Sequence, residues 1–408
     1  MYRLLQAAIA VALIGLWPRL SAAQEGALTL DGALRLARQR APAVLSAGAR
    51  VEEARGRLTG AAVLLQNNPL VQTSLGSRTS ERGDYFDADL ALTQVFELGG
   101  QRGARVRAAE AGVDRTRAAS DDVTRRLLRD VAVAFLRSLY VEQRLRLATH
   151  TETLAEEIVR ISERRRTAGD AADLDVNIAR TALARARSET RAAEAEREAS
   201  LGDLRLLLGL GTDEPLAVAG DLADRRRYEL QALMARAPER ADLRALVAGE
   251  READAERRLG EGLAWPDLGL GVRYEREEGA NAILGTLTLT LPVFNHGQGL
   301  RAESAARARR VRLELDAGQR VVSVEVRTAF AVYGRRVAAV EEIEREALTA
   351  LDETERRSQR AYESGQISLT DMLLLRREML ETRRSHLERL LEAAVAGVEL
   401  EAAAGVLR

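Results

Sequence analysis

The chain has 408 residues, of which 30% are charged and only 3% aromatic, and its 61 basic and 62 acidic residues nearly cancel. This balance excludes the basic footprint of a nucleic-acid-binding protein, and the absence of cysteine excludes disulfides, thiolate metal sites and a lipidated N-terminal cysteine. So few aromatic residues are typical of long, charge-laced helices rather than of ordinary globular cores.

The N-terminal segment has the organisation of a secretory signal peptide. Arg3 forms a short positive region, an apolar run follows over Ala7–Trp17, and the small residues Ser21–Ala23 suit cleavage before Gln24. An uncleaved anchor helix is the alternative interpretation. We predict that residues 1–23 direct export. No later apolar stretch reaches the roughly 20 residues of a transmembrane helix, so the mature chain is predicted to contain none.

The rest of the chain is a tandem duplication. Four landmarks recur in the same order with similar neighbours: Pro69 and Pro266, 197 apart; Phe96 and Phe294, 198 apart; Gly169 and Gly365, 196 apart; and Gly209 and Gly405, 196 apart. So long a period describes two large structural units rather than the tiles of a solenoid. We assign 24–210 to the first repeat and 228–408 to the second, with a linker over 211–227.

Each repeat is predicted to run helix, two strands, long helix, turn, long helix. In the first repeat, apolar residues follow helical spacing from Leu30, and Pro69 closes that helical region. Neither glycine nor proline occurs from Val113 to Ala168, which predicts a helix of about 84 Å at 1.5 Å per residue. The chain turns at Gly169 and runs back over Ala172–Leu208.

The four predicted strands cover about 70–80, 85–96, 267–276 and 282–294. In the last, Ile283, Leu287 and Leu289 alternate with threonines, as in a strand with one apolar and one polar face. Alternation over about ten residues is typical of transmembrane β-strands with lipid-facing and lumen-facing sides. Four strands cannot close a barrel, because the smallest membrane barrels have about eight. Several protomers must therefore share one barrel.

Four stretches resemble the TolC family of outer-membrane efflux ducts: LTLDGALRLARQRAPAV, QVFELGGQR, LPVFNHGQG and YESGQISLTDMLLLRREMLETRRSHL. Within that family, FELGGQR is most similar to the CzcC-like heavy-metal branch. The resemblance implies a mainly α protein with a small β part, in which each protomer contributes four membrane strands and a duplicated coiled-coil unit. A homotrimer would form a shared twelve-stranded barrel in the outer membrane of a Gram-negative bacterium, above a periplasmic α-helical tunnel.

The resemblance also assigns roles to individual positions. Gly169 and Gly365 correspond to the tip turns that dock a periplasmic adaptor protein, which in turn engages an inner-membrane RND pump. Asp175 and Asp371, each six positions after a tip glycine, correspond to acidic residues that line the periplasmic aperture. From the residues alone, each is more often a solvated carboxylate or one at a helix N-terminus than a gating residue.

Tyr362 corresponds to a tyrosine that helps to hold the aperture shut. The arginine that partners this tyrosine in TolC itself is replaced by Ile367, so the resemblance does not supply a complete latch. The predicted strand-to-helix junctions are Phe96, Gly99, Gly100, Phe294 and Gly297.

No catalytic pattern stands out. The three histidines, His150, His296 and His386, lack the paired spacing of a metal site, and no phosphate loop or nucleophile elbow is present. We therefore expect no enzyme activity, no cofactor and no resident metal. The favoured function is a passive exit duct of an RND efflux system for heavy-metal cations. The alternatives are drug efflux, type I secretion, or a periplasmic coiled-coil scaffold or adaptor without a pore.

Overall fold

The computed structural model describes residues 27–81 and 83–407, so the predicted signal peptide lies outside the described residues. The elements in chain order are α1 (Leu30–Arg40), α2 (Pro42–Ala61), β1 (Leu70–Ser80), β2 (Gly83–Glu97), α3 (Gln101–Thr167), α4 (Asp173–Leu208), α5 (Leu230–Arg236), a 3₁₀ turn (Ala237–Glu239), α6 (Ala241–Gly262), β3 (Asp267–Glu277), β4 (Ala280–Thr290), α7 (Gln298–Ile343), a π turn (Glu344–Leu348), α8 (Thr349–Glu363) and α9 (Leu369–Ala404).

The predicted fold class, mainly helical with a small β part, is confirmed. Helix α3 has 67 residues and is therefore about 100 Å long at 1.5 Å per residue. Its counterpart in the second repeat is interrupted, because a π turn separates α7 from α8. Across residues 27–81 and 83–407, none of the helices combines the length and the apolar content that crossing a bilayer requires.

The sheet joins the two predicted repeats. Its four strands are antiparallel in the order β1-β2-β3-β4, and β2 of the first repeat pairs with β3 of the second, with Phe96 opposite Leu268. Among the strands that the structure describes, β1 and β4 are the edges. Strand β4 ends at Thr290, before the predicted end at Phe294, because Pro292 has no N–H to continue the ladder.

The helices form two stacked layers below the sheet. In the layer next to the strands the side-by-side order is α2, α3, α6, α7, while further away α3 packs against α4 and α9. Where the layers meet, a core of mostly aliphatic residues surrounds Phe135 and includes Leu204 and Leu222. A second core around Val326 joins α5, α6, α7 and α9.

A buried arginine ties together three helices. The Arg240 side chain is 6% exposed and donates hydrogen bonds to Asp242 Oδ2 at 2.7 Å, Glu325 Oε2 at 2.6 Å and the Ala403 carbonyl at 3.1 Å. Burial opposes the charge, yet these carboxylates raise the pKa of Arg240 above its ordinary value. The guanidinium therefore stays charged and links α6, α7 and the C-terminal end of α9.

We expect Arg240→Met to reduce the free energy of unfolding by about 3 kcal/mol, because removing one member of a buried ion-pair network leaves the other charges uncompensated. Denaturant unfolding followed by helical circular dichroism measures this loss. Arg244→Met is the matched control, since Arg244 forms an exposed ion pair with Asp121 that is worth about 0–1 kcal/mol. Equal losses in the two variants would contradict the assignment.

Candidate functional site

Two helical hairpins are formed, one by α3 and α4 around Gly169 and the other by α7, α8 and α9 around Gly365. The turns at their tips have the same backbone geometry. Gly169 and Gly365 have φ angles of +85° and +75°, a left-handed conformation that glycine adopts without a steric penalty. The Gly169 N–H donates to the Arg166 carbonyl, and the Gly365 N–H donates likewise to the Tyr362 carbonyl. Each glycine thus ends one helix with the C-terminal motif typical of left-handed caps.

The two tips lie side by side within the chain. A Cβ atom on Gly365 would lie 3.7 Å from the Arg165 guanidinium of α3. An apolar cluster just behind the turns joins the hairpins and contains Ile158, Ile161 and Met372. Ile367 packs against this cluster, so the position that carries an arginine in TolC is used here for apolar packing.

Tyr362 is held by residues of the other hairpin. Its side chain is almost completely buried, at 2% exposed, and its hydroxyl lies 3.0 Å from Ser162 Oγ. The Arg165 guanidinium lies 5.2 Å from the centre of the ring, within the range of a cation–π interaction, and its Nη1 donates to the Tyr362 carbonyl at 3.2 Å. Ser162 and Arg165 together therefore connect α3 to α8.

Sequence reasoning proposed Tyr362 as a latch residue but did not predict its partners Ser162 and Arg165. These partners precede Tyr362 by about two hundred positions, and no local pattern distinguishes Arg165 from Arg164 and Arg166. The available signal was the repeat itself, because it predicts that the residues before both tip glycines lie at the same end of the bundle.

The two aperture candidates occupy equivalent positions in different surroundings. Asp371 belongs to a capping box of α9, in which Ser368 Oγ lies 2.6 Å from its carboxylate and accepts its backbone N–H at 3.1 Å. Asp175 lies in the first turn of α4 and is partly buried. In the described part of the chain, its carboxylate has no ion-pair partner. A carboxylate in the first turn is favoured by the helix dipole.

The strand-to-helix junctions pack against the end of α6. Gly100 and Gly297 are the residues that precede α3 and α7, and a Cβ atom on Gly99 would collide with the Gly262 carbonyl. Phe96 lies within β2, whereas Phe294 follows β4 and is 91% exposed.

The histidines do not form a common site. His386 Nε2 lies 3.3 Å from Glu344, and His150 lies 3.8 Å from Glu355. Among residues 27–81 and 83–407, no three histidine, aspartate or glutamate side chains converge into a group that could hold a metal ion.

One protein-family model and several known proteins are similar to this chain. The model of the family "Outer membrane efflux protein" matches residues 33–210. The cobalt-zinc-cadmium resistance protein CzcC of Cupriavidus metallidurans is 24% identical over 390 residues, which span 92% of this chain and 88% of CzcC. The pyoverdine export outer membrane protein OpmQ of Pseudomonas putida is 25% identical over 413 residues, spanning 92% and 85%.

The fold is also found among solved structures. A crystal structure of the channel protein CusC superimposes with a TM-score of 0.74 and 19% identity, covering 92% of this chain and 91% of that one. Because the identity is low, this likeness concerns the fold. It agrees with the helical layers and the four-stranded sheet described above.

The contacts of Tyr362 predict how the tips respond to mutation. We expect Arg165→Gln to speed amide hydrogen exchange at the C-terminal end of α8 by up to about tenfold, because a lost hydrogen bond to a charged group costs about 1.5 kcal/mol. Tyr362→Phe should act in the same direction through Ser162. Exchange followed by mass spectrometry measures both effects.

Arg164→Gln provides the control, because Arg164 is the adjacent arginine and its side chain is exposed. If Arg164→Gln and Arg165→Gln accelerate exchange equally, the connection between Arg165 and Tyr362 does not stabilise the tip.

Proposed function

We propose that this chain is an outer membrane efflux protein and the homotrimeric exit duct of a tripartite efflux system; the match of residues 33–210 to that family's model and the similarity to CzcC support the proposal. The partial family match, the similarity to CzcC and the fold support an outer-membrane efflux duct with a periplasmic helical tunnel. The homotrimer, the periplasmic adaptor, the inner-membrane RND pump and the cargo are the proposed parts. The duct itself is passive, and the pump supplies the energy.

The proposal that copies of the chain assemble into a ring rests on the two open edges of the sheet. Among residues 27–81 and 83–407, the outer backbone groups of β1 and β4 have no strand partner, and each unsatisfied group costs several kcal/mol in lipid. Pairing β1 of one protomer with β4 of the next satisfies both edges at once. The helices follow the same order, with α2 on the β1 side and α7 on the β4 side.

Such a contact is heterologous, and a heterologous contact produces a closed ring when the rotation between copies closes. Three copies with four strands each yield a twelve-stranded barrel. The apolar residues of the edge strands are exposed in the single chain, Leu75 by 67% and Ile283 by 78%. Lipid contact accounts for that exposure, because membrane strands place apolar side chains outward.

We infer that the tips form the periplasmic aperture. In a trimer, Asp175 and Asp371 would each contribute three carboxylates near the tip turns, and rings of carboxylates select cations. The link from Ser162 and Arg165 to Tyr362 would hold the second hairpin against the first at rest. Gly169 and Gly365 would present the turns to the adaptor.

Conductance in a planar lipid bilayer tests the aperture. We expect discrete channels that prefer cations, with the preference reduced by Asp175→Asn and by Asp371→Asn because each change removes three negative charges from a narrow ring. Asparagine keeps the size of the side chain and an acceptor for the Ser368 N–H. The preference is read from reversal potentials in a salt gradient.

Asp213→Asn is the matched control, because Asp213 is an exposed carboxylate of the linker, outside both hairpins. Reversal potentials that shift as much in this control would assign the selectivity to overall charge rather than to the tips. Bilayers that stay silent with well-folded protein would favour the alternative of a scaffold without a pore.

For the cargo we propose heavy-metal cations. The FELGGQR motif and the similarity to CzcC support this choice, whereas OpmQ, at comparable identity, is named for pyoverdine export. Deleting the gene in its host and measuring growth on cobalt, zinc and cadmium salts tests the proposal. We expect tolerance to fall and to return with the wild-type gene. Unchanged metal tolerance together with lost drug tolerance or protein secretion would select an alternative cargo.

A further inference from the structure

A cavity of about 120 Å³ lies between the two hairpins. Its walls come from α3, α4, α8 and α9 and are mostly apolar, with Leu154, Ile158 and Met379 among them. One part of the wall is charged and contains Arg376 and Arg383 of α9 together with Glu355 of α8. A pocket of this volume can hold a few water molecules or one small ion.

Arg376 is the unusual member of this group. Its Nε atom is buried and has no hydrogen-bond partner. Its Nη2 donates to the neutral Gln359 side chain at 3.5 Å, which is the outer limit of a hydrogen bond. In the described part of the chain, no carboxylate lies within ion-pair distance of its guanidinium.

The neighbouring carboxylate is already engaged. Glu355 accepts a hydrogen bond from Arg383 at 2.7 Å and lies 3.8 Å from His150. Burial lowers the pKa of Arg376, while Glu355 and Glu157 act in the opposite direction from a longer range. A guanidinium does not lose its proton under these conditions. A partly buried positive charge therefore lies at the cavity wall without a direct counter-charge.

We propose that this cavity binds a small monovalent anion, a halide or a short-chain carboxylate, at Arg376. The anion would lie against the Arg376 guanidinium and supply the missing charge, which offsets part of the cost of burying an unpaired ion. The apolar walls favour a weakly hydrated ion over sulfate or phosphate, whose several oxygen atoms each need donors. Glu355 at the same wall disfavours a second negative charge.

The position of the cavity determines what such an ion does. Arg376 belongs to the second hairpin, whereas Leu154 and Ile158 belong to α3 and the opposite wall to α4. An ion bound there stabilises the packing of one hairpin against the other. This inference concerns binding to the folded chain and does not depend on conduction through a trimer.

Thermal unfolding of the purified full-length protein in detergent tests the site. At constant ionic strength, sodium gluconate is replaced stepwise by sodium bromide, because gluconate is too large for the cavity. A ligand that binds only the folded state raises the unfolding midpoint and does so with its concentration. We expect a bromide-dependent rise in wild type that is lost in Arg376→Gln and retained in Arg377→Gln, whose arginine is the exposed neighbour.

Parallel titrations with chloride, acetate and butyrate distinguish a halide site from a carboxylate site. Ala182→Leu, which fills the cavity from α4 and leaves Arg376 in place, should also abolish the response. Bromide-soaked crystals give a direct readout, because an anomalous peak is expected within hydrogen-bond distance of the Arg376 guanidinium.

Identical midpoints of wild type in bromide and gluconate would overturn the proposal, as would a bromide response that persists in Arg376→Gln. If Arg376→Gln does not fold, the proposal is tested by the bromide response of Ala182→Leu and by the anomalous peak in the bromide-soaked crystals. A cavity without an anomalous peak would mean that water alone solvates Arg376.

Discussion

The pairing of β2 with β3 is the constraint on which the rest of the structure depends. It is the point at which the sheet joins the two predicted repeats, and its register fixes the height at which α3 begins relative to the end of α6. Helix α3 then extends for about 100 Å before its tip meets that of α8. A shift of one residue in that register would turn every side chain of the strand to the other face.

Long helices remain in close contact over this distance when small side chains line the interface between them. The buried residues of α3 and α4 include many alanines, such as Ala132, Ala155, Ala179 and Ala186, which allow close approach without aromatic filling. Between the helices, arginine–glutamate pairs border the seam, for example Arg197 with Glu142 at 2.5 Å. Each such surface pair contributes little alone. The low aromatic content of the chain follows from this mode of packing.

Local patterns predicted the parts of this structure that have local causes. The alternation in Ile283–Leu289 and the glycines at positions 169 and 365 act on the backbone nearby, so one stretch of sequence suffices to predict them. The partners of Tyr362 and the isolation of Arg376 depend on side chains that converge from different helices. The capping role of Asp371 lies between these cases, because Ser368 at the preceding N-cap is a visible signal.

The π turn at Glu344–Leu348 is the feature that sequence reasoning missed most completely, since EREAL contains neither glycine nor proline. The π turn makes the second hairpin differ from the first, because it separates α7 from α8 where α3 is continuous. Helix α3 is continuous and buries side chains along much of its length, whereas α8 buries only Ser358 and Tyr362 among its described side chains.

Arg225 of the linker donates to both carboxylate oxygens of Glu344, at 2.6 and 2.9 Å, and His386 of α9 lies against the same group. Partial burial raises the pKa of Glu344, but these contacts outweigh it and lower the pKa. The carboxylate therefore stays charged and connects the π turn to the linker and to α9. Local stability follows buried contacts. Between this contact and the tip, α8 is held by the contacts of Tyr362 and by those of Glu355 at the cavity wall. These few contacts therefore determine the position of α8.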